Sequence, residues 1–131
     1  MNRRLRIVLI VPLMIVLAAW AGISWLGRAH EQGLAQIEIL GVDLAQVPDG
    51  TYAGSHSVFP VSVQVKVTVL DHKITDIELV KHQNGQGSAA EVLAEQVVTA
   101  QSLQVDVITG ATASSKVILK AIDNALQSSL R

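Results

Sequence analysis

At 131 residues the chain has room for one ordinary domain, and half of its residues are apolar. A formal net charge of −1 gives no electrostatic reason to expect a nucleic-acid partner. The absence of cysteine excludes disulfides, thiolate metal sites, iron–sulfur clusters, thioether-linked haem and a cysteine-borne lipid anchor, so any redox chemistry has to come from a bound group.

Arg3, Arg4 and Arg6 precede an uncharged run from Ile7 to Leu26. About 20 helical residues at roughly 1.5 Å each span a hydrocarbon core of about 30 Å. Residues 1–27 are therefore expected to form one transmembrane anchor. The arginines before the run, against Arg28 alone just after it, place the N-terminus in the cytoplasm and the remainder outside. A signal peptide is the competing reading, with Ala19-Trp20-Ala21 as its cleavage region, but the apolar run continues past that point through Ile23, Trp25 and Leu26. Both readings export the rest of the chain. Trp20 and Trp25 belong to this segment, which leaves Tyr52 and Phe59 as the aromatic residues of the exported part and implies an aliphatic core.

Residues 28–46 read as a spacer, with room for one strand, and Val47-Pro48-Asp49-Gly50 is a turn signature that opens a domain over 47–131. Val61, Val63, Val65, Val67 and Val69 alternate with Ser62, Gln64, Lys66 and Thr68, the period of a half-buried strand. A polar turn, Leu70-Asp71-His72-Lys73, leads into a second strand from Ile74 to Val80, completing a hairpin. After the glycine-bearing stretch from His82 to Gly87, the spacing of Val92, Leu93, Gln96 and Val97 predicts an amphipathic helix ending near Ala100. Residues 105–108 read as a short strand-like run. From Lys116 onward, Val117, Ile118, Ala121, Ile122, Ala125 and Leu126 form one helical stripe. The expected fold is α+β: a small antiparallel sheet with two helices packed on one face, preceded by one transmembrane helix.

The chemistry-bearing segment is Asp106-Val107-Ile108-Thr109-Gly110-Ala111-Thr112-Ala113-Ser114-Ser115, at a helix start. Unpaired N–H groups and the positive end of the helix dipole make such a place a phosphate site, and Gly110 permits an unusual φ. Lys116, one turn on, is near enough to help hold a phosphate. Spacing alone favours the simpler reading, in which Thr112, Ser114 or Ser115 caps the helix, since the segment has neither the lysine of a P-loop nor the repeated glycines of a dinucleotide fingerprint. His30, His56, His72 and His82 lack metal-ligand spacing, and no hydrolase constellation is evident.

The stretch Asp106 to Ser115 closely resembles the flavinylation signature of FMN-binding domains. Asp49-Gly50-Thr51-Tyr52-Ala53-Gly54 is similar to that family's opening, and Lys73-Ile74-Thr75-Asp76-Ile77 to its hairpin return. The family includes flavin subunits of the sodium-pumping NADH:quinone oxidoreductase and of a related ferredoxin-linked complex. The resemblance implies covalent FMN joined through its phosphate to Thr112 by an FAD-dependent FMN transferase that uses Mg²⁺. Asp106 and Thr109 would shape the loop that the transferase reads, Gly110 and Ala111 would keep it open, and Ser114 and Ser115 stand where the family often has a Thr-Ser pair. The segment from His82 to Gly87 occupies the place of a loop that approaches the flavin in larger relatives, without their Glu-Thr-Pro pattern, and with so few aromatic residues the ring is expected to lie largely exposed beside Tyr52 or His82. The implied role is an electron carrier that takes electrons from a membrane redox protein or quinone-linked donor. The alternatives are a flavin-free partner-binding or sensory module of the same fold, and a reductase with its own substrate pocket.

Overall fold

The computed structural model describes residues 3–83 and 87–131, and the side chains of 7–28, 31–83 and 90–131. Asn84, Gly85 and Gln86 lie outside the described residues, as do the side chains of Arg3, Arg4 and Arg6, on which the orientation argument rests. The chain divides into two compact units between Ala35 and Gln36.

The first unit is helix α1 (Arg3–Ala35), which runs on past Gly27 and carries Pro12 within it. Its stretch Ile7–Ala35 is long and apolar enough to cross a membrane.

The second unit is a three-stranded antiparallel meander, β1 (Gly50–Val58), β2 (Val61–Leu70) and β3 (Lys73–Gln83), in the order β1-β2-β3. Helices α2 (Gly87–Ala100) and α3 (Thr112–Ser128) cover one face, α3 over β1 and β2 and α2 over β3. The alternation of β2 decides which face that is: Val61, Val63, Val65, Val67 and Val69 are all buried against the helices. They meet Leu93 and Val97 of α2 and the apolar stripe of α3, including Ile118 and Ile122, in an aliphatic core.

The β2–β3 turn has both Asp71 and His72 at positive φ, 51° and 60°, the geometry that matches the right-handed twist of paired strands. Neither residue is glycine, so tertiary bonds hold the conformation. The Asp71 amide donates to Asp49 Oδ1 at 2.8 Å, and His72 Nδ1 lies 3.2 Å from both the Leu44 and Val47 carbonyls, which makes Nδ1 the protonated nitrogen.

β3 departs from simple alternation. Its register against β2 shifts twice, so that Thr75 and Val80 are extra residues with no direct partner. The first bulge explains why Ile74 and Ile77, three apart, are both buried; the second leaves Val80 facing out and turns His82 to the helix side, opposite buried Val63.

Two sequence expectations are corrected here. Residues 105–108 form no regular element and join no sheet, because the β3 edge beside Ile74 is already occupied by a side chain. Gln101, at φ 51° just after α2, accepts from the Ile74 amide at 2.8 Å and donates Nε2 to the Ile74 carbonyl at 2.7 Å and to Val98 O at 2.6 Å. One amide thus mimics a strand partner and ties α2 to β3. Gln101→Ala is expected to cost about 2 kcal/mol, since it strands the polar groups of a buried residue; a midpoint in urea within experimental error of wild type would refute this. The third strand is instead β1, and α3 begins at Thr112, one turn before the stripe that announced it. Between Gln36 and Asp49 the only regular element is a 3-10 turn, Leu44–Gln46, capped by Asp43, whose Oδ1 accepts from the Ala45 amide.

Candidate functional site

The segment from Asp106 to Ser115 folds as a tight turn feeding α3. The Ala111 amide donates to Ile108 O at 2.9 Å, and Gly110, third in that turn, has φ +81°. This position requires glycine for its backbone conformation and not for space, since nothing lies within 4 Å of an added Cβ. Ser115 holds the turn from below. Its hydroxyl is fully buried, accepts from the Ile108 amide at 3.1 Å and donates to Ala111 O at 2.8 Å. Ser114 and Ala111 are also turned inward, whereas Thr109, Gly110 and Thr112 are exposed.

Thr112 is the first helical residue. The capping position belongs to Ala111, which makes no side-chain cap, so Thr112 is not the cap of this helix. The Thr112 side chain therefore stands exposed where the α3 dipole is most positive. Lys116, half-buried, follows at i+4 on the same helix face. An exposed hydroxyl, a glycine without neighbours and a cation one turn away fit a phosphate group. Asp106 is exposed and lines a groove against α2 with Val92, Glu95 and Gln96.

The direction of α3 decides what else stands near Thr112. Gly54 in β1 faces Ala121 and Ala125. One residue on, Asn124 Nδ2 donates to Ser55 O at 2.9 Å, and His56 feels the charge of Lys120. Lys120 thus stands toward the end of β1, whereas Leu126 shares a cavity with Ile74, whose partner Val69 pairs with Gly50 at the start of β1, so the two elements run antiparallel. Thr112, about 12 Å beyond Lys120 at roughly 1.5 Å per residue, lies toward the β1–β2 turn. α2 runs back along β3, with Gln101 at Ile74, and Leu126 shares a cavity with Ile74 and Gln101 at the other end. The Thr112 end of the domain thus carries Phe59, His56, His82 and the start of α2. Tyr52 is at the opposite end, its hydroxyl donated to Pro48 O at 2.7 Å.

His56 and His82 flank Val63 on the helix side of the sheet. Burial lowers the pKa of both below the usual imidazole value, and the positive Lys120 lowers that of His56 further. His82 Nε2 is buried and has no hydrogen-bond partner. Both rings take up a proton more readily in the unfolded chain, so stability should be full above the ordinary imidazole pKa of 6.5 and decline as pH falls through it toward the lowered folded values. The joint variant His56→Gln/His82→Gln is expected to flatten the stability profile between about pH 7.5 and 5.5; an unchanged profile in denaturant titrations would refute this assignment.

Two residues of this end had no clear signal in the chain. Phe59 could have been noticed as an aromatic before a proline between two strands, but whether it faces solvent depends on packing. His56 sits in a strand without apolar alternation.

A family profile for the FMN-binding domain matches residues 60–127, just over half of the chain, spanning β2 to α3. An uncharacterized protein of Treponema pallidum is 28% identical over 103 residues, which cover 76% of this chain and 29% of that protein. The chain thus spans less than a third of the length of this curated relative. A crystal structure of a Clostridium perfringens protein superposes with a TM-score of 0.53 at 22% identity, covering 65% of this chain and 90% of that one, a likeness of fold alone. With the turn-to-helix motif, its exposed threonine and the profile match on the same residues, the chain belongs to the FMN-binding domain family.

Proposed function

We propose that this protein is a membrane-anchored flavoprotein whose domain lies outside the cytoplasmic membrane and carries electrons through an FMN esterified to Thr112. The observation that carries the reading is the setting of Thr112: an exposed, uncapped first residue of a 17-residue helix, preceded by a glycine turn and followed by Lys116 on its own face. The attachment balances without any redox change. Thr112 Oγ attacks the FMN-side phosphorus of FAD, the pyrophosphate bond breaks, AMP leaves, and the hydroxyl proton passes to a base of the transferase. The dipole of α3 and the Lys116 ammonium stabilise the resulting phosphodiester anion. The bound flavin supplies one- and two-electron chemistry; the protein supplies position. The donor is a membrane redox protein or quinone-linked carrier. A covalent link suits an exported domain, which cannot replace lost cofactor from a cytoplasmic pool. Arg3, Arg4 and Arg6 before the apolar stretch of α1 support this orientation.

The test is to co-express the full chain with a flavin transferase and to examine the denatured product by in-gel fluorescence and intact mass. Wild type should gain one FMN, and Thr112→Ala should lose all covalent flavin. Flavin retained by the variant, or absent from wild type while a known acceptor domain is labelled in the same cells, would sink the proposal.

A further inference from the structure

We propose that Ser115 is the positioning residue of the attachment site: its hydroxyl holds the turn over residues 108–111 in the conformation from which the transferase takes Thr112, an inference that rests on the tethered-flavin reading above. Ser115 is 0% exposed, so it acts on the turn and touches neither the transferase nor the flavin phosphate.

Little else fixes the turn. From residue 105 to residue 110 nothing is buried: Val105 and Ile108 are half-buried, and Asp106, Val107, Thr109 and Gly110 are exposed. Gly110 has φ +81° with nothing within 4 Å of an added Cβ, so no neighbour presses it into that conformation. Among the described residues, the Ile108 amide is the only group of residues 105–110 that is hydrogen-bonded beyond the turn itself, and its acceptor is Ser115 Oγ at 3.1 Å.

Ser115 is a firm support. Its amide donates to Ala111 O at 2.9 Å within the first turn of α3, and its neighbours Val117 and Ile118 are fully buried. The hydroxyl donates to the same Ala111 carbonyl at 2.8 Å, the i−4 bond that serine often makes on a helix. Its second bond, to an amide seven residues back, is what sets it apart. One hydroxyl thus spans the turn from Ile108 at its entry to Ala111 at its exit, the residue before Thr112.

Removing that hydroxyl leaves Thr112 as the first residue of α3 with its own side chain intact. What is lost is the restraint on the residues before it. The half-buried Ile108 amide turns to water, and Gly110, which takes either sign of φ at little cost, lets the turn open. Loss of one or two modest hydrogen bonds shifts the balance between closed and open turn by about 5- to 30-fold. A transferase that binds only the closed turn then needs more of the chain to saturate, while the bound complex reacts as before.

The experiment uses full-length wild type, Ser115→Ala, Ser115→Cys and Gln101→Ala, purified in detergent from cells without a transferase. Each is labelled by a purified FMN transferase with FAD and Mg²⁺ at varied chain concentration, with in-gel fluorescence and intact mass as readouts. Ser115→Ala should raise KM by up to about 5- to 30-fold and leave kcat close to wild type. Ser115→Cys, of similar size but a weak donor and acceptor, should fall between the two. Gln101→Ala loosens the domain at the opposite end and should label as wild type does, which separates the local restraint from a general loss of stability. The Ile108 amide of Ser115→Ala should gain more in exchange rate than the β2 amides. Wild-type kcat/KM in Ser115→Ala, a fall in its kcat with KM unchanged, or an equal loss of labelling in Gln101→Ala overturns the inference while leaving the tethered flavin intact. Wild type that gains no covalent flavin while a known acceptor domain is labelled overturns both.

Discussion

Gly54→Val is expected to unfold the second unit or to lift α3 from the sheet, and even Gly54→Ala should lose about 3 kcal/mol or more. A Cβ on Gly54 would overlap the Ala121 carbonyl oxygen and the Ala125 amide nitrogen, and would lie 2.7 Å from Ala125 Cβ. Backbone atoms of a packed helix cannot rotate aside as a flexible side chain can. The whole helix would have to move, giving up the contacts of Val117, Ile118 and Ile122, each of which is fully buried. For a unit of this size, about 3 kcal/mol lowers the melting midpoint by roughly 12 °C or more. The sign makes the test sharp, because replacing glycine by alanine in a strand without such a contact is ordinarily neutral or stabilising. A midpoint for Gly54→Ala equal to that of wild type would mean that α3 is not seated on this residue.

The second large effect concerns Asp123, a fully buried acid within the core-facing part of α3. Its carboxylate accepts from the Leu40 amide at 3.3 Å, the Gly41 amide at 3.1 Å and Lys120 Nζ at 2.9 Å. Lys120 also donates to Glu38 O at 2.7 Å, and Gln127 Nε2 to Gly41 O at 3.1 Å. Three residues of α3 thus clamp the segment that enters the domain after α1. Asp123→Ala removes the charge partner of Lys120 and the acceptor of two backbone amides together, and is expected to destabilise by about 2–4 kcal/mol; the upper value for breaking a buried pair is tempered because Lys120 retains 19% of its side-chain exposure and can turn to water. Asp123→Asn keeps one acceptor oxygen and should lose about half as much. Hydrogen exchange supplies a local readout: the Leu40 and Gly41 amides should exchange far faster in Asp123→Ala than the β2 amides do. Equal acceleration everywhere would mean that the carboxylate acts on global stability without clamping this segment.

The parts of the fold readable from residue order were those in which burial leaves a period. β2 shows it most clearly, because one face meets only helices and the other only solvent, so valine alternates with polar residues along the strand. α2 and α3 are legible for the same reason, and Leu70-Asp71-His72-Lys73 for its polar break between strands. β1 left no such trace. Its inward residues are Tyr52, Gly54, His56 and Val58, because a helix backbone occupies the space that an apolar side chain would fill at Gly54. Residues 105–108 misled in the opposite sense: their apolar content suits a strand, but the Gln101 amide holds the polar groups of Ile74 that a neighbour would need.

The candidate site divides in the same way. The motif from Asp106 to Thr112 could be located in the chain because its constraints are local: a turn that needs positive φ at Gly110 and a helix that starts two residues later. The roles of Ser114 and Ser115 could not, since a hydroxyl near a helix start serves a ligand or the turn itself, and the depth of Ser115 decides for the turn. The sequence by itself determined the apolar first helix, the β2–β3 hairpin and the two later helices, which follow from short-range spacing, and its resemblance to the flavinylation signature located the motif. Only the tertiary structure decided that α3 runs antiparallel to β1, that Tyr52 stands away from Thr112 while Phe59 and His82 share its end, and that Asp123 is buried. Those facts depend on two bulges, one helix–strand contact at Gly54 and pairings more than 60 residues apart, such as Asn124 with Ser55. Long-range contacts of this kind leave no period in the chain.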